Sequence, residues 1–392
     1  MRLGLFLFVF WTISIGYTAF AQVPTDTLKA SITNPEVNPN FSYDGFGSAM
    51  DIYGDDAIVA SALDIPSGKA YTFKKQNGQW IYQRTLTPSK YNPFLGSRFG
   101  SVTITNNYFA INFLQSTPND GTSGTGTTLV DIFKKNDTNP LPHQSIELPS
   151  NMTYSRGDFA MNDNFLVIGI PSSNSTDITQ QGSIHIYKLS NETWVKDTVF
   201  KGPYGFGEPL FLEKNYIVVS DPFNSKIHVF NNKSGIWQKQ TAISPSYYRG
   251  LNFDPNSKAI ITINEQNNLN IFEETDANQW ALKETITLPP NSGNPIYPII
   301  SGNNVLVTVS PNQIFLFQKV SNNWIFTKKY ILDIPNQANL FFSPLAVNNQ
   351  VFMIGTPNLD LLLRGKVFYG TLPPAACSNT LCIPVVLRII QK

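Results

Sequence analysis

The sequence predicts an all-β chain folded as a seven-bladed β-propeller of four-stranded blades. Three observations predict it: a short apolar run returns seven times at a similar spacing, each run is followed by a second strand rich in aromatics, and turn-forming residues punctuate the whole length. A period of this size marks a radial or stacked architecture, because one small sheet cannot bury its faces without neighbours.

The runs are Ala57-Ile58-Val59-Ala60, Tyr108-Phe109-Ala110-Ile111, Phe165-Leu166-Val167-Ile168, Tyr216-Ile217-Val218-Val219, Ala259-Ile260-Ile261-Thr262, Val305-Leu306-Val307-Thr308 and Val351-Phe352-Met353-Ile354. Their starts lie 43 to 57 residues apart, about the length of one four-stranded blade. Each run is apolar on both faces, as a strand covered on both sides should be. Residues 40 to 373 are expected to form one domain.

Second strands follow at Tyr71-Thr72-Phe73, Asp131-Ile132-Phe133, His185-Ile186-Tyr187, His228-Val229-Phe230, Asn270-Ile271-Phe272, Phe315-Leu316-Phe317 and Lys366-Val367-Phe368-Tyr369. In five copies a tryptophan then opens a further strand, at Trp80, Trp194, Trp237, Trp280 and Trp324. The linking segments, such as Lys75-Gln76-Asn77-Gly78-Gln79, carry residues that tolerate tight turns, so each pair reads as a hairpin. A row of tryptophans can serve as ligand-stacking rings. At one position of a structural repeat they read instead as packing between neighbouring blades.

Phe46-Gly47-Ser48 with Gly54-Asp55-Asp56, and Arg98-Phe99-Gly100-Ser101-Val102 with Asn106-Asn107, resemble the FG-GAP repeat of integrin-α-type β-propellers. Gly205-Phe206-Gly207, Gly169-Ile170-Pro171 and Gly355-Thr356-Pro357 echo its two halves. The resemblance covers about residues 40 to 373 and implies a fold far more than a function. Many such repeats carry an Asp-x-Asp-x-Asp-Gly calcium loop. Asn119-Asp120-Gly121 and Asp221-Pro222-Phe223-Asn224 supply too few carboxylates for one, so neither a metal nor another cofactor is expected.

The ends add three segments. Met1 and Arg2 precede an apolar run from Leu3 to Phe20, and Ala19-Phe20-Ala21 before Gln22 has the form of a signal-peptidase site. Residues 1–21 therefore read as a signal peptide cleaved between Ala21 and Gln22, rather than as a membrane helix, and the mature chain has no integral span. Residues 22–373 form the propeller, and 374–392 a tail whose Cys377 and Cys382 are expected to close a short disulfide loop in an exported protein. The seventh copy lacks a tryptophan-led outer strand. Leu28-Lys29-Ala30-Ser31-Ile32-Thr33-Asn34-Pro35 matches Leu282-Lys283-Glu284-Thr285-Ile286-Thr287-Leu288-Pro289 at five of eight positions. Residues 27 to 33 are thus expected to supply the missing strand and shut the ring.

Charged residues make up 14% of the chain and the net charge is +1, so no basic field exists to gather nucleic acid or anionic membrane. The style of the chain reads as bacterial, and the expected location is secreted or cell-surface, including periplasmic. Sequons at Asn40, Asn136, Asn151, Asn174, Asn191 and Asn232 matter only in a eukaryotic secretory pathway.

Catalytic motifs are sparse. No Gly-x-Ser-x-Gly elbow, His-Glu-x-x-His pair or phosphate-binding glycine loop occurs. His185 and His228 share one repeat position and read as polar strand residues rather than as metal ligands or an acid–base couple. Arg156-Gly157-Asp158 forms a cell-adhesion tripeptide but falls where other copies start a strand, which speaks against an exposed loop tip.

Three functions stand open. The first is a non-catalytic binding or scaffold propeller for an unknown protein or glycan. Tyr204, Phe206, Tyr247, Tyr248 and Tyr297, near strand starts of the fourth to sixth copies, are its candidate contacts, with packing at the channel as their alternative role. The second is a secreted hydrolase or lyase using carboxylates at the channel mouth. The third is a structural module of a surface complex attached through its tail.

Overall fold

The computed structural model describes residues 23–36, 44–62, 68–90, 98–116, 126–150, 158–171, 181–245, 248–275, 279–334, 344–348, 350–357 and 365–374. The signal-peptide segment with Ala21 and Gln22, the tail with Cys377 and Cys382, and Tyr247 lie outside them. The described residues form seven sheets, each built on antiparallel strands ordered from the centre to the rim, with one further strand added parallel to the sixth. The recurring runs form the second strand of every blade, as in Asp56–Ser61, Tyr108–Ser116 and Phe165–Ile170. The Phe-Gly segments supply the innermost strands, Phe46–Tyr53 and Arg98–Ile104 in the first two blades.

The core is divided into seven apolar clusters, one at each seam between adjacent blades. Because every second strand is sandwiched between two clusters, both its faces must be apolar. The tryptophans of the rim strands face backwards onto the preceding blade. Trp194 lies 5.8 Å from Tyr108, and Trp237 5.1 Å from Phe165, both edge to face. Trp80, Trp194, Trp237 and Trp324 are buried, while the half-buried Trp280 donates its indole N–H to Gln240 of blade four at 3.0 Å. These rings are core.

The chain ends close the ring. Ser31–Thr33 pairs antiparallel with Lys366–Phe368 and becomes the outer strand of blade seven. The expected single strand over residues 27 to 33 is in fact two. Thr25–Leu28 leaves blade seven and runs parallel to Lys329–Leu332 as a fifth strand on blade six. Leu28 is buried in the seam between blades six and seven and Ile32 in the seam between seven and one, so one short segment staples three blades.

Candidate functional site

The innermost strands of all seven blades surround a central cavity of about 720 Å³. Its wall is built from apolar residues alternating with Asn, Ser, Thr, Asp and Glu, and no Lys, Arg or His lines it among the described residues. Its acids are Asp51, Asp158, Asp163, Glu213 and Asp254.

Most of these acids hold the ring together. Asp51, in blade one, accepts hydrogen bonds from Thr103 Oγ1 (3.0 Å) and the Ile104 N–H (3.0 Å) of blade two. Asp158 opens the inner strand of blade three and accepts from Ser101 Oγ (3.2 Å) of blade two and the Leu210 N–H (3.0 Å) of blade four. Asp163 accepts from the Asn106 N–H at 3.1 Å, and Asp254 of blade five from the Gly302 N–H of blade six at 2.9 Å. Carboxamides serve elsewhere: Asn252 accepts from the Ile300 N–H (3.0 Å), and Asn348 donates to the Ile52 carbonyl (3.0 Å). An innermost strand has one unpaired edge, and these side chains satisfy its exposed backbone groups.

Glu213 differs. No described residue hydrogen-bonds its carboxylate, which reaches channel solvent at the mouth. Enclosure by the channel wall, reinforced by the nearby charges of Asp51 and Asp254, pushes its pKa up to about 7. Desolvation likewise raises Asp158 to about 7 and Asp51 to about 6, against the lowering effect of the N–H groups that donate to them.

The connections between second and third strands, and those between blades, emerge on the face opposite the tight turns that follow each inner strand. Three of the sequence-predicted contacts lie there. Tyr204 packs against Phe223, ring centroids 4.2 Å apart and planes tilted at 58°. The Tyr248 hydroxyl sits 2.7 Å from Ser220 Oγ, accepts from the Asp221 N–H and donates to the Lys226 carbonyl. Tyr297 is 39% exposed at the start of the inner strand of blade six. Phe206 is 1% exposed and fills the seam between blades three and four.

The two histidines share a register position, opposite Ile168 and Val219, yet have separate partners. His185 meets Ser183 Oγ at 3.1 Å, and burial lowers its pKa to about 4. His228 meets the buried Asp221 carboxylate at 3.1 Å. Asp221 also accepts from the backbone and side chain of Asn224, capping the 3-10 turn Pro222–Asn224. Phe223 on that turn, 65% exposed, holds no repeat position, which is why sequence reasoning passed over it.

Fold and channel together define a seven-bladed β-propeller. The sequence matches no protein family and no curated protein. Among solved structures the chain is similar to Hsv2 from Kluyvelomyces marxianus, at 12% identity over 78% of this chain and 88% of that one, with a TM-score of 0.50. It is also similar to a functionally unknown protein from Desulfotomaculum acetoxidans (13% identity, 77% and 89% coverage, TM-score 0.51). A KlHsv2 variant with loop 6CD replaced by a Gly-Ser linker gives 16% identity, 80% and 89% coverage and a TM-score of 0.53. At such identities the likeness is one of fold alone.

Proposed function

We propose that this chain is an exported, non-catalytic binding or scaffold propeller of FG-GAP type, which engages a protein or a carbohydrate through the face carrying the blade-to-blade connections. One observation carries this reading. Of the described acids in the channel, Asp51, Asp158, Asp163 and Asp254 are committed as hydrogen-bond acceptors across seams, which fits mortar better than an acid–base pair. Export rests on the amino-terminal pattern of residues 1–21, and the disulfide of Cys377 and Cys382 follows from export.

Glu213 favours a second reading. A solvent-facing carboxylate with a pKa near 7 beside other acids is the setting of a general acid, as in a hydrolase or lyase. A glycan-array and pull-down screen of the mature protein, with product analysis on every glycan tested, separates the two. Retention of a glycan or protein without turnover is the expected result. Turnover that Glu213→Gln abolishes overturns the binding reading in favour of the enzyme.

A further inference from the structure

Phe223 is a large apolar ring presented to water on a rigid mount. The turn that carries it is fixed from below by Asp221, 1% exposed, which accepts from Asn224 and is held in turn by His228, 5% exposed. Behind it, Tyr248 bonds both Ser220 and the Asp221 N–H. From the side, the ring lies on the backbone of Gly205, where a Cβ would come within 2.4 Å of it and where φ is +78°. Tyr204 completes the mount, tilted at 58° to the ring. A side chain ordered in the free protein loses little entropy when a ligand arrives.

The surroundings specify the ligand. Beyond Phe223 the same face carries the half-buried Tyr248 and the partly exposed Tyr297, on ground rich in carboxamides and hydroxyls such as Ser244, Asn267 and Asn294. Asn267 donates to Asn294 at 3.2 Å, bridging two successive connections. A protein partner needs about 800 Å² per side with a contiguous apolar centre, which single rings spaced over polar ground do not form. Single cations such as Arg249, which donates to Asn267, and Lys226, whose carbonyl accepts from Tyr248, do not make the basic field that anionic polymers need, in a chain of net charge +1. An aromatic face carries negative quadrupole density and suits the slightly positive C–H face of a sugar ring, while amides and hydroxyls suit its hydroxyl groups.

We infer that the Tyr204–Phe223 platform, continued toward Tyr248 and Tyr297 across blades four to six, is a binding site for a neutral saccharide chain. This inference rests on the binding reading above and names the ligand class of that face. Its test is affinity electrophoresis of the full mature chain in native gels containing soluble galactomannan, xyloglucan or β-1,3-glucan, with a sulfated polysaccharide as charged control. Retardation by at least one neutral polysaccharide is expected. Phe223→Ala should weaken it about tenfold and Phe223→Tyr restore it, with thermal melts of both variants matching the parent. Gly205→Ala, which keeps the ring but displaces it, should also weaken binding. Retardation by none of the neutral polymers, by the sulfated one alone, or to an extent that Phe223→Ala leaves unchanged would overturn the inference. Cross-linking to a defined protein partner, unaffected by Phe223→Ala and without saccharide retardation, overturns it too but leaves the binding reading in place.

Discussion

The seam between blades three and four and the seam between blades seven and one are built on the same plan, yet the first follows a blade of consecutive strands and the second a blade whose outer strand, Ser31–Thr33, comes from the amino terminus. At the first, a Cβ on Gly169 would lie 1.9 Å from the Gly207 carbonyl oxygen, and one on Gly182 2.2 Å from that of Phe206. At the second, Gly355 faces the Gly47 carbonyl and Gly365 that of Phe46, both at 2.0 Å. The Phe-Gly half of the motif in one blade thus rests directly on glycines of the blade before it, backbone to backbone. The difference lies in what holds the Phe-Gly strand. The N–H groups of Phe206 and Gly182 both donate to the Pro203 carbonyl, 3.1 and 3.2 Å away, on the segment joining the blades. Those of Phe46 and Gly365 donate instead to the Asp44 carboxylate, at 2.9 and 3.4 Å. Asn34, arriving with the closing strand, donates to the other oxygen of Asp44 at 2.8 Å. Beside the blade that the amino-terminal strand completes, a buried side chain takes the place of a main-chain carbonyl, and the break in the chain lies one strand further back, between Lys366–Thr371 and Ser31–Thr33.

The largest effect expected from breaking this comparison is removal of Gln22 to Pro35. That deletion strips the outer strand from blade seven, the fifth strand from blade six, and the buried side chains of Leu28, Ile32 and Asn34. Two buried aliphatics and the lost ladder bonds should cost about 5 kcal/mol or more in chemical denaturation. A truncated protein that unfolds at the same denaturant midpoint as the full chain would show that the seam closes without its staple.

Next come the glycines, which test whether the two seams are equivalent. Gly355→Ala and Gly169→Ala each force a Cβ into a carbonyl oxygen of the next blade. Each should destabilise by about 2–4 kcal/mol, since neither obstacle is a flexible side chain. Similar losses sharpen the comparison. A large loss for Gly355→Ala alone would mean that the seam beside the amino-terminal strand is the weak point and the other absorbs the strain.

Asp44→Ala should cost less, on the order of 1–3 kcal/mol, by removing the acceptor of the buried Phe46 and Gly365 N–H groups and of the Asn34 amide. Asp44→Asn keeps one acceptor oxygen and should recover part of that loss in the same unfolding measurement. Full stability of Asp44→Ala would remove the substitution of carboxylate for carbonyl from the account.

How much of this was legible in the sequence follows from where each signal resides. The blades were readable because each second strand must be apolar on both faces, and the tryptophans because they recur. The closing strand was readable through Ile32 and Pro35, which match Ile286 and Pro289. Its continuation onto blade six was not, since of Thr25–Leu28 only Leu28 is buried and three exposed residues carry no pattern. The channel acids were hidden for a different reason. Asp51 stands opposite the second residue of its run (Ile58), Glu213 opposite the first of its own (Tyr216), and Asp158 opposite Gly169, so they line one channel without sharing a repeat position. Phe223 owes its position to a turn cap rather than to the period.

The two seams also differ in their response to pH. At the channel, the seam between blades three and four is tied by Asp158 accepting from the Leu210 N–H, and the seam between seven and one by the uncharged Asn348 donating to Ile52. Burial holds Asp158 at about 7, above the 3.8 of an unperturbed aspartate, so between these values the folded state binds a proton that the unfolded state has released. Its contribution to stability is therefore best in acid, declines as pH rises from about 4 to about 7, and is level above that. Other groups titrate nearby. Asp51 and Glu213 act in the same direction, while His185, lowered to about 4, removes stability as pH falls below its unfolded value of 6.5. The slope of the parent protein therefore mixes signs, and the difference between parent and variant isolates one seam. Asp158→Asn keeps an acceptor for Leu210 without the charge, so its stability relative to the parent should improve steadily from pH 4 to 7 and then stop changing. Asn348→Ala should instead cost a similar amount at every pH, about 1 kcal/mol for one lost hydrogen bond. A pH-independent Asp158→Asn difference would show that this carboxyl titrates normally in the folded ring, and that both seams are tied at the channel by groups equally indifferent to pH.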